Sequence, residues 1–246
     1  YDGLQNPDDG LMMGVFGERC AEKFDFTREQ QDAFATASIE RALKAMESQF
    51  ADEITPVTVK SRRGETIVTE DQEPPSCNLE KIPTLRAAFK NDGTVTAASS
   101  SKISDGAAAT VLMTAEKAAE MGITPLATII AHSTYSQDPE WFTTAPIGAI
   151  ERVLKKAGWG IDEVDLFEVN EAFATVTMAA MHELDIDHAK MNVNGGACAL
   201  GHPIGASGAR VVVTLINALQ QRGLKKGVAA LCIGGGEATA LAVELP

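Results

Sequence analysis

Basic residues are in short supply: 21 Lys and Arg stand against 34 Asp and Glu, a formal net charge of −13. A chain of that sign repels polyanions, so neither nucleic acid nor an anionic membrane surface is expected as a partner. An anionic ligand would have to be met locally, by backbone N–H groups and a few cations. Aromatic residues make up only 5% of the chain, and small aliphatics carry the apolar content, which suits helices packed closely on a sheet. No apolar run reaches the roughly 20 residues of a membrane span, and no signal peptide opens the chain. Cysteine is confined to positions 20, 77, 198 and 232 with no C-x-x-C pair, and the four histidines make no H-x-x-x-H. That disfavours both a disulfide framework and a metal cluster. The thiols read as reduced and the compartment as cytoplasmic. No G-x-G-x-x-G follows a strand and no G-x-x-x-x-G-K is present, so nicotinamide and nucleoside-triphosphate chemistry is unsupported. Ala209 stands where a G-x-S-x-G elbow would need its second glycine. An initiator Met is also lacking; Tyr1-Asp2-Gly3 reads as the middle of a loop, so the chain is expected to be a fragment.

What is present follows an α/β rhythm in its second half. Thr27-Arg28-Glu29-Gln30 fits a capping box, and Ile39, Leu43, Met46 and Phe50 continue one apolar helical stripe to about residue 49. Residues 54–59 and 65–68 read as short strands, and 70–83, with three prolines, as an irregular excursion. Beyond them, 94–97 and 107–114 are strand-like, 116–121 is a short helix, 126–133 a strand and 146–157 a helix with proline in its first turn. Residues 165–170 form a strand running into a helix over 171–184, and 192–194 end another strand. A long helix over 206–221 is apolar on most sides, and 228–233 and 239–244 are adjacent antiparallel strands around a glycine turn. The order β-α-β-α-β-α-β-β predicts a mixed, mostly parallel sheet covered by helices, with ligands at the carboxyl ends of its strands.

Asn170, Asn194 and Cys232 fall at such ends, and His202 lies on the loop between two of them. The segment Asn192–Arg210 crowds five glycines (195, 196, 201, 205 and 208) around that histidine, which removes β-carbons between the main chain and a ligand. An imidazole there exchanges protons near neutral pH. Cys232 precedes Gly234-Gly235-Gly236, whose N–H groups offer an oxyanion site. Each residue also has an ordinary reading: Asn170 as a helix N-cap, His202 as a core histidine bonded to a carbonyl, Cys232 and Cys198 as small buried hydrophobes. The coincidence of a thiol, an imidazole and an amide at one sheet edge favours acyl-group or carbon-acid chemistry.

NEAFA at 170–174, NVNGGACALGHPIGASGAR at 192–210 and CIGGG at 232–236 together resemble the thiolase family, in its acetoacetyl-CoA branch. DGLQNP at 2–7 and TVTAASSSKISDGAAA at 94–109 extend the likeness through the chain. The resemblance implies part of a layered α-β-α-β-α architecture with a buried helix. It makes 1–104 a loop domain, 105–124 the last strand–helix piece of the N-terminal half, and 125–246 the C-terminal half. It implies Claisen condensation of two acetyl-CoA to acetoacetyl-CoA and CoA, or the reverse thiolysis, with coenzyme A thioesters as substrates and no further cofactor. In this reading His202 activates a nucleophilic cysteine, Cys232 moves the proton at the α-carbon, Asn170 holds an oxyanion-site water, and Gly234 lends a backbone N–H. Ser101, Ala97 and Phe89 line the pantetheine tunnel, Phe142 and Phe173 flank the acyl pocket, and Ala172 is a further substrate-binding residue; the aromatics leave room for a short acyl chain. The nucleophile belongs to a segment absent from these residues, since Cys20 and Cys77 lack the family's cysteine-glycine-serine context; the isolated chain is therefore expected to be inactive. A homodimer or homotetramer is implied. A longer-chain 3-ketoacyl-CoA thiolase and a non-catalytic acyl-CoA-binding or interface fragment stand as alternatives. A ketoacyl synthase would carry histidine where Asn170 stands.

Overall fold

The computed structural model describes residues 3–246; Tyr1 and Asp2, and with them the start of the DGLQNP motif, lie outside the described residues. In chain order the elements are α1 (Met13–Lys23), α2 (Arg28–Met46), the hairpin β1 (Val57–Ser61) and β2 (Gly64–Val68), and the short helices α3 (Glu73–Ser76) and α4 (Ala115–Glu120). Then come β3 (Thr128–Ser136), α5 (Ala145–Ala157), β4 (Leu166–Val169), α6 (Ala174–Leu184), α7 (Ala197–Leu200), α8 (Ser207–Arg222), β5 (Lys226–Ile233) and β6 (Glu237–Glu244). The capping box at Thr27 forms as expected: Gln30 N–H donates to Thr27 Oγ1 at 3.2 Å and Thr27 N–H to Gln30 Oε1 at 2.9 Å. Gly158, at φ 72°, ends α5 in the left-handed conformation that closes a helix.

The main sheet runs β3-β6-β5-β4. It is mixed, but its balance differs from the expectation of a mostly parallel sheet. Only β4 and β5 pair in parallel, across the long connection that holds α6, α7 and α8; β5–β6 and β6–β3 are antiparallel. The three-residue turn 234–236 forces the first of these antiparallel pairs, because a connection that short can only reverse the chain. Alternation along β5 sorts the core: Val228 and Ala230 face α5, while Ala229 faces α8 with Leu166, Leu215 and Leu219. The sheet thus carries a helix layer on each face.

The buried helix is α6, in which every residue from Ala174 to Ala180 is buried. The sequence points instead to 206–221, yet α8 buries one stripe only and leaves Val212, Val213 and Ile216 partly exposed. α6 carries no charged residue from Ala174 to Met181, and its Ala and Thr side chains are small enough to admit α1, α2 and α5 around it. It also begins at Ala174, with Phe173 as N-cap, three residues later than expected.

Three further strand expectations fail. Asn192–Asn194 is a turn, and only Met191 bridges β4, at Phe167. At 94–97 the Glu18 carboxylate takes the N–H groups of Thr94 and Val95, each at 2.9 Å, and Ser99 Oγ takes that of Thr96 at 2.8 Å, leaving a single bridge between Thr96 and Ala87. Residues 107–114 are extended but find no neighbouring strand among the described residues, and Val111 and Leu112 stand 87% and 73% exposed. Strand-like sequence cannot become a strand without a partner edge.

Candidate active site

Strand β4 delivers Asn170 to its carboxyl end, where the Asn170 N–H donates to the Ala230 carbonyl of β5 at 3.0 Å. Because α6 starts four residues later, Asn170 is not its cap. The side chain is 1% exposed, and neither its Oδ1 nor its Nδ2 has a partner among the described residues. Leaving a buried amide unsatisfied costs about 1–3 kcal/mol per group, so this carboxamide calls for a partner outside the described residues. Its neighbour Glu171 is the opposite case. That buried carboxylate accepts from Ser38 Oγ at 2.7 Å, Asn192 Nδ2 at 2.8 Å and Cys198 N–H at 3.0 Å, pinning α2 and the turn after Met191 to the strand end.

A short extended segment, 99–102, joins the asparagine loop to the histidine loop. Ala174 N–H donates to Ser99 O at 2.8 Å, Ser101 N–H to Ala172 O at 3.0 Å, and His202 N–H to Lys102 O at 2.9 Å. Ser101, Ala172 and His202 are therefore held by one run of backbone. The His202 ring places Nδ1 at 2.5 Å from Ser207 Oγ, and Ser207 Oγ donates to Pro203 O at 3.1 Å. With the hydroxyl proton assigned to that carbonyl, Nδ1 is assigned as the donor, which leaves the Nε2 lone pair free to accept a proton. Burial, with a smaller push from Arg210, moves the His202 pKa below the ordinary histidine value, so the ring is neutral at pH 7.

Cys232 lies near the end of β5 in a half-buried position, packed on an apolar cluster of Phe16, Val95, Phe142, Ala172, Phe173 and Val176, with Met13 and Phe89 alongside. Phe89 meets Phe173 edge-on at 5.8 Å between centroids, and Phe16 meets Phe142 likewise at 5.8 Å. Burial pushes the Cys232 thiol up to about 12. In the turn beyond it, Gly236 N–H is used by Ile233 O at 3.2 Å, whereas Gly234 and Gly235 N–H have no main-chain acceptor among the described residues. The structure thus brings together Cys232, Phe142, Phe173, Phe89 and Ala172 in one wall, and Asn170, Ser101 and His202 along the connected loops. Ala97 is exposed and outside the apolar cluster.

Two expectations are corrected here. Asn194 does not join the edge: its Oδ1 accepts from Arg222 Nη2 at 3.0 Å, at the end of α8 opposite Ser207. The glycines around His202 also serve mostly to let protein approach protein. A β-carbon on Gly195 would meet Ser38 O at 2.5 Å, one on Gly196 the Glu171 carboxylate carbon at 2.3 Å, and one on Gly201 Ser104 Oγ at 2.3 Å. Only Gly205 and Gly208 face open space. Ser207 and the α1 wall residues Met13 and Phe16 went unnoticed in the sequence. Their signal was Gly14 and Gly17, three apart inside a helix; a β-carbon on Gly14 would strike the Phe89 ring and one on Gly17 would crowd Phe173.

Two family models match in succession: the thiolase N-terminal domain over residues 1–116 and the thiolase C-terminal domain over 123–245. The chain belongs to the thiolase family. The relative named "Probable acetyl-CoA acetyltransferase" from Dictyostelium discoideum is 53% identical over 99% of this chain and 59% of its own length. The acetyl-CoA acetyltransferase of Thiocystis violacea is 50% identical over 99% of this chain and 62% of its own. Among solved structures, the Bacillus anthracis acetyl-CoA acetyltransferase superposes with a TM-score of 0.96 at 45% identity, covering 99% of this chain and 62% of that one. Human mitochondrial 3-ketoacyl-CoA thiolase follows at 0.93 and 36%, with 100% and 63% covered. The chain therefore spans about three-fifths of the length of these thiolases.

Proposed function

We propose that this chain forms the greater part of an acetyl-CoA acetyltransferase, condensing two acetyl-CoA to acetoacetyl-CoA and CoA or running the reverse thiolysis. The observation that carries the reading is the buried, unpartnered Asn170 carboxamide on the loop that backbone hydrogen bonds tie to His202. A water held by Asn170 and the His202 ring face the enolate oxygen. His202, neutral and with Nε2 free, takes the proton of the nucleophilic thiol, which a segment outside these residues supplies. Cys232 as the thiol gives its proton to the departing α-carbon in thiolysis, and as the resulting thiolate takes one back from the α-carbon in condensation. Gly234 N–H meets the acyl carbonyl. Phe142, Phe173 and Ala172 close the acyl pocket, while Ser101, Ala97 and Phe89 line the approach of the pantetheine arm. Residues 105–114 complete a strand against that outside segment, which is where the exposed Val111 and Leu112 are covered. The same reading takes the protein as a cytoplasmic homo-oligomer, supported by the exposed apolar residues Val57, Val59 and Ile67 of the β1–β2 hairpin.

The test joins this chain to the first-half segment of the Thiocystis violacea relative and measures thiolysis. Acetoacetyl-CoA is expected to be cleaved at least tenfold faster than 3-ketohexadecanoyl-CoA, a discrimination of about 1.4 kcal/mol set by the aromatic wall. Equal or reversed rates would assign a longer-chain 3-ketoacyl-CoA thiolase instead. The pH profile adds a second expectation. A base with a lowered pKa stays unprotonated to more acidic pH, so the midpoint of the acid limb of kcat/KM is expected below the ordinary histidine value of about 6.5. A midpoint above that value would contradict the assigned state of His202.

A further inference from the structure

Outside that site, one cysteine is paired with an amine. Cys77 follows α3 in the proline-rich excursion, half-buried, and its thiol donates to Glu73 O at 3.4 Å. Lys102 Nζ, from the segment beneath His202, donates to Cys77 Sγ at 2.7 Å and stands 3.7 Å from Glu73 Oε2. The other three cysteines differ in kind: Cys20 and Cys198 are buried, and Cys232 sits on the aromatic wall, none with an amine at its sulfur. The Lys102 side chain keeps 26% of its surface, so a small oxidant reaches the pair. No role in acyl transfer has been assigned to either side chain.

We propose that Cys77 and Lys102 form a peroxide-sensitive cross-link. The Cys77 sulfur attacks hydrogen peroxide; the O–O bond breaks, an S–O bond forms, sulfur is oxidised by two electrons, and the peroxide is reduced to water. This sulfenic acid is the reversible first step of cysteine oxidation, and nitrogen nucleophiles condense with it. Lys102 gives a proton to Glu73 and attacks the sulfur. The S–N bond forms as the S–O bond breaks, and the hydroxide leaves as water. The balance is thiol plus ammonium plus one hydrogen peroxide, giving a sulfenamide, two waters and one proton. The product ties the 70–83 excursion covalently to the residue whose carbonyl holds His202 N–H at 2.9 Å. Thiol reductants reverse it by attack on the same sulfur.

The test treats the 246-residue chain with excess hydrogen peroxide, quenches it, and digests with trypsin without reduction. Peptides 64–81 and 91–117 are expected to appear as one linked species, two hydrogens lighter than their sum, with cleavage at Lys102 lost. Dithiothreitol is expected to restore both separate peptides and the cut at Lys102. In Lys102→Arg, which keeps the charge but supplies no comparable nucleophile, the link is expected to vanish while dimedone labels Cys77. Equal dimedone labelling of Cys77 in the wild type and Lys102→Arg, with no linked peptide, would overturn the proposal. So would a Cys77 left reduced under these conditions, or a linked pair that retains an oxygen atom, since the direct S–N step leaves none.

Discussion

Glu171→Ala is expected to lower the folding stability of this chain by about 3–5 kcal/mol, the range seen when a buried charged network loses one member. Glu171 is 1% exposed, and its two oxygens accept from Ser38 Oγ, Asn192 Nδ2 and Cys198 N–H. Removing the carboxylate strands three buried donors at once. Cys198 N–H and Asn192 sit on a main chain that cannot turn toward water, and Gly196 has no side chain to fill the gap. The Gly196 N–H also depends on Ser38 Oγ at 3.0 Å, so the loss spreads to a second turn. Glu171→Gln keeps the volume and one acceptor but presents an amide N–H where an acceptor is required. It should cost about 1–3 kcal/mol. Urea unfolding of the three proteins reads both numbers from the midpoints, provided the slopes agree. A Glu171→Ala loss below about 1 kcal/mol would mean that these hydrogen bonds contribute little beyond what water offers the unfolded chain.

The second large effect is on catalysis. In the protein joined to the first-half segment, His202→Ala is expected to lower the kcat of acetoacetyl-CoA thiolysis by about 10²–10⁴, the usual worth of a positioned acid–base group. The imidazole is the group here with a free acceptor nitrogen and a pKa held below the ordinary value by burial. Ser207→Ala separates orientation from chemistry. It removes the acceptor that fixes Nδ1–H, at 2.5 Å, while leaving the ring in place. That change is expected to reduce kcat by about tenfold, with KM for acetoacetyl-CoA unaltered, because the misplaced proton matters only when the thiol must be deprotonated. A KM rise with unchanged kcat would show that Ser207 shapes the binding surface and not the base.

Much of the site was legible because it is written locally. The glycine-flanked His202, the thiol before a triple-glycine turn, and Asn170 at a strand end are all features of a few adjacent residues, and each falls where the local pattern puts it. What escaped was set by contacts between distant segments. The function of Gly195 and Gly196 depends on α2, more than 150 residues earlier, which no local window contains. Asn194 looks equivalent to Asn170 until Arg222 is seen to hold it. The antiparallel β5–β6 pair follows from the glycine turn as expected, whereas the antiparallel β3–β6 pair does not, because strand–helix alternation implies parallel pairing and no local feature shows which edge β3 joins. Residues 107–114 carry strand chemistry without a strand, since pairing requires an edge that these residues do not provide. α6 carries no charged residue from Ala174 to Met181, and burial on all sides was there to be read; the longer run of branched aliphatics in α8 drew the expectation instead.

On the proposed reading these residues bring His202, Cys232 and the oxyanion groups, while the acyl carrier comes from the segment outside them. Burial pushes Cys20 up to about 11 and Cys232 to about 12, and raises Cys198 strongly, and none of the four sulfurs is hydrogen-bonded to the His202 ring. The direct measurement is to incubate radiolabelled acetyl-CoA with the joined protein, trap the acetyl-enzyme in acid, and map the label by peptide. Label is expected on a cysteine of the added segment and on none of Cys20, Cys77, Cys198 and Cys232, and it is expected to be lost in His202→Ala. Stable acetylation of any of those four cysteines, with thiolysis by the 246 residues alone, would contradict that reading.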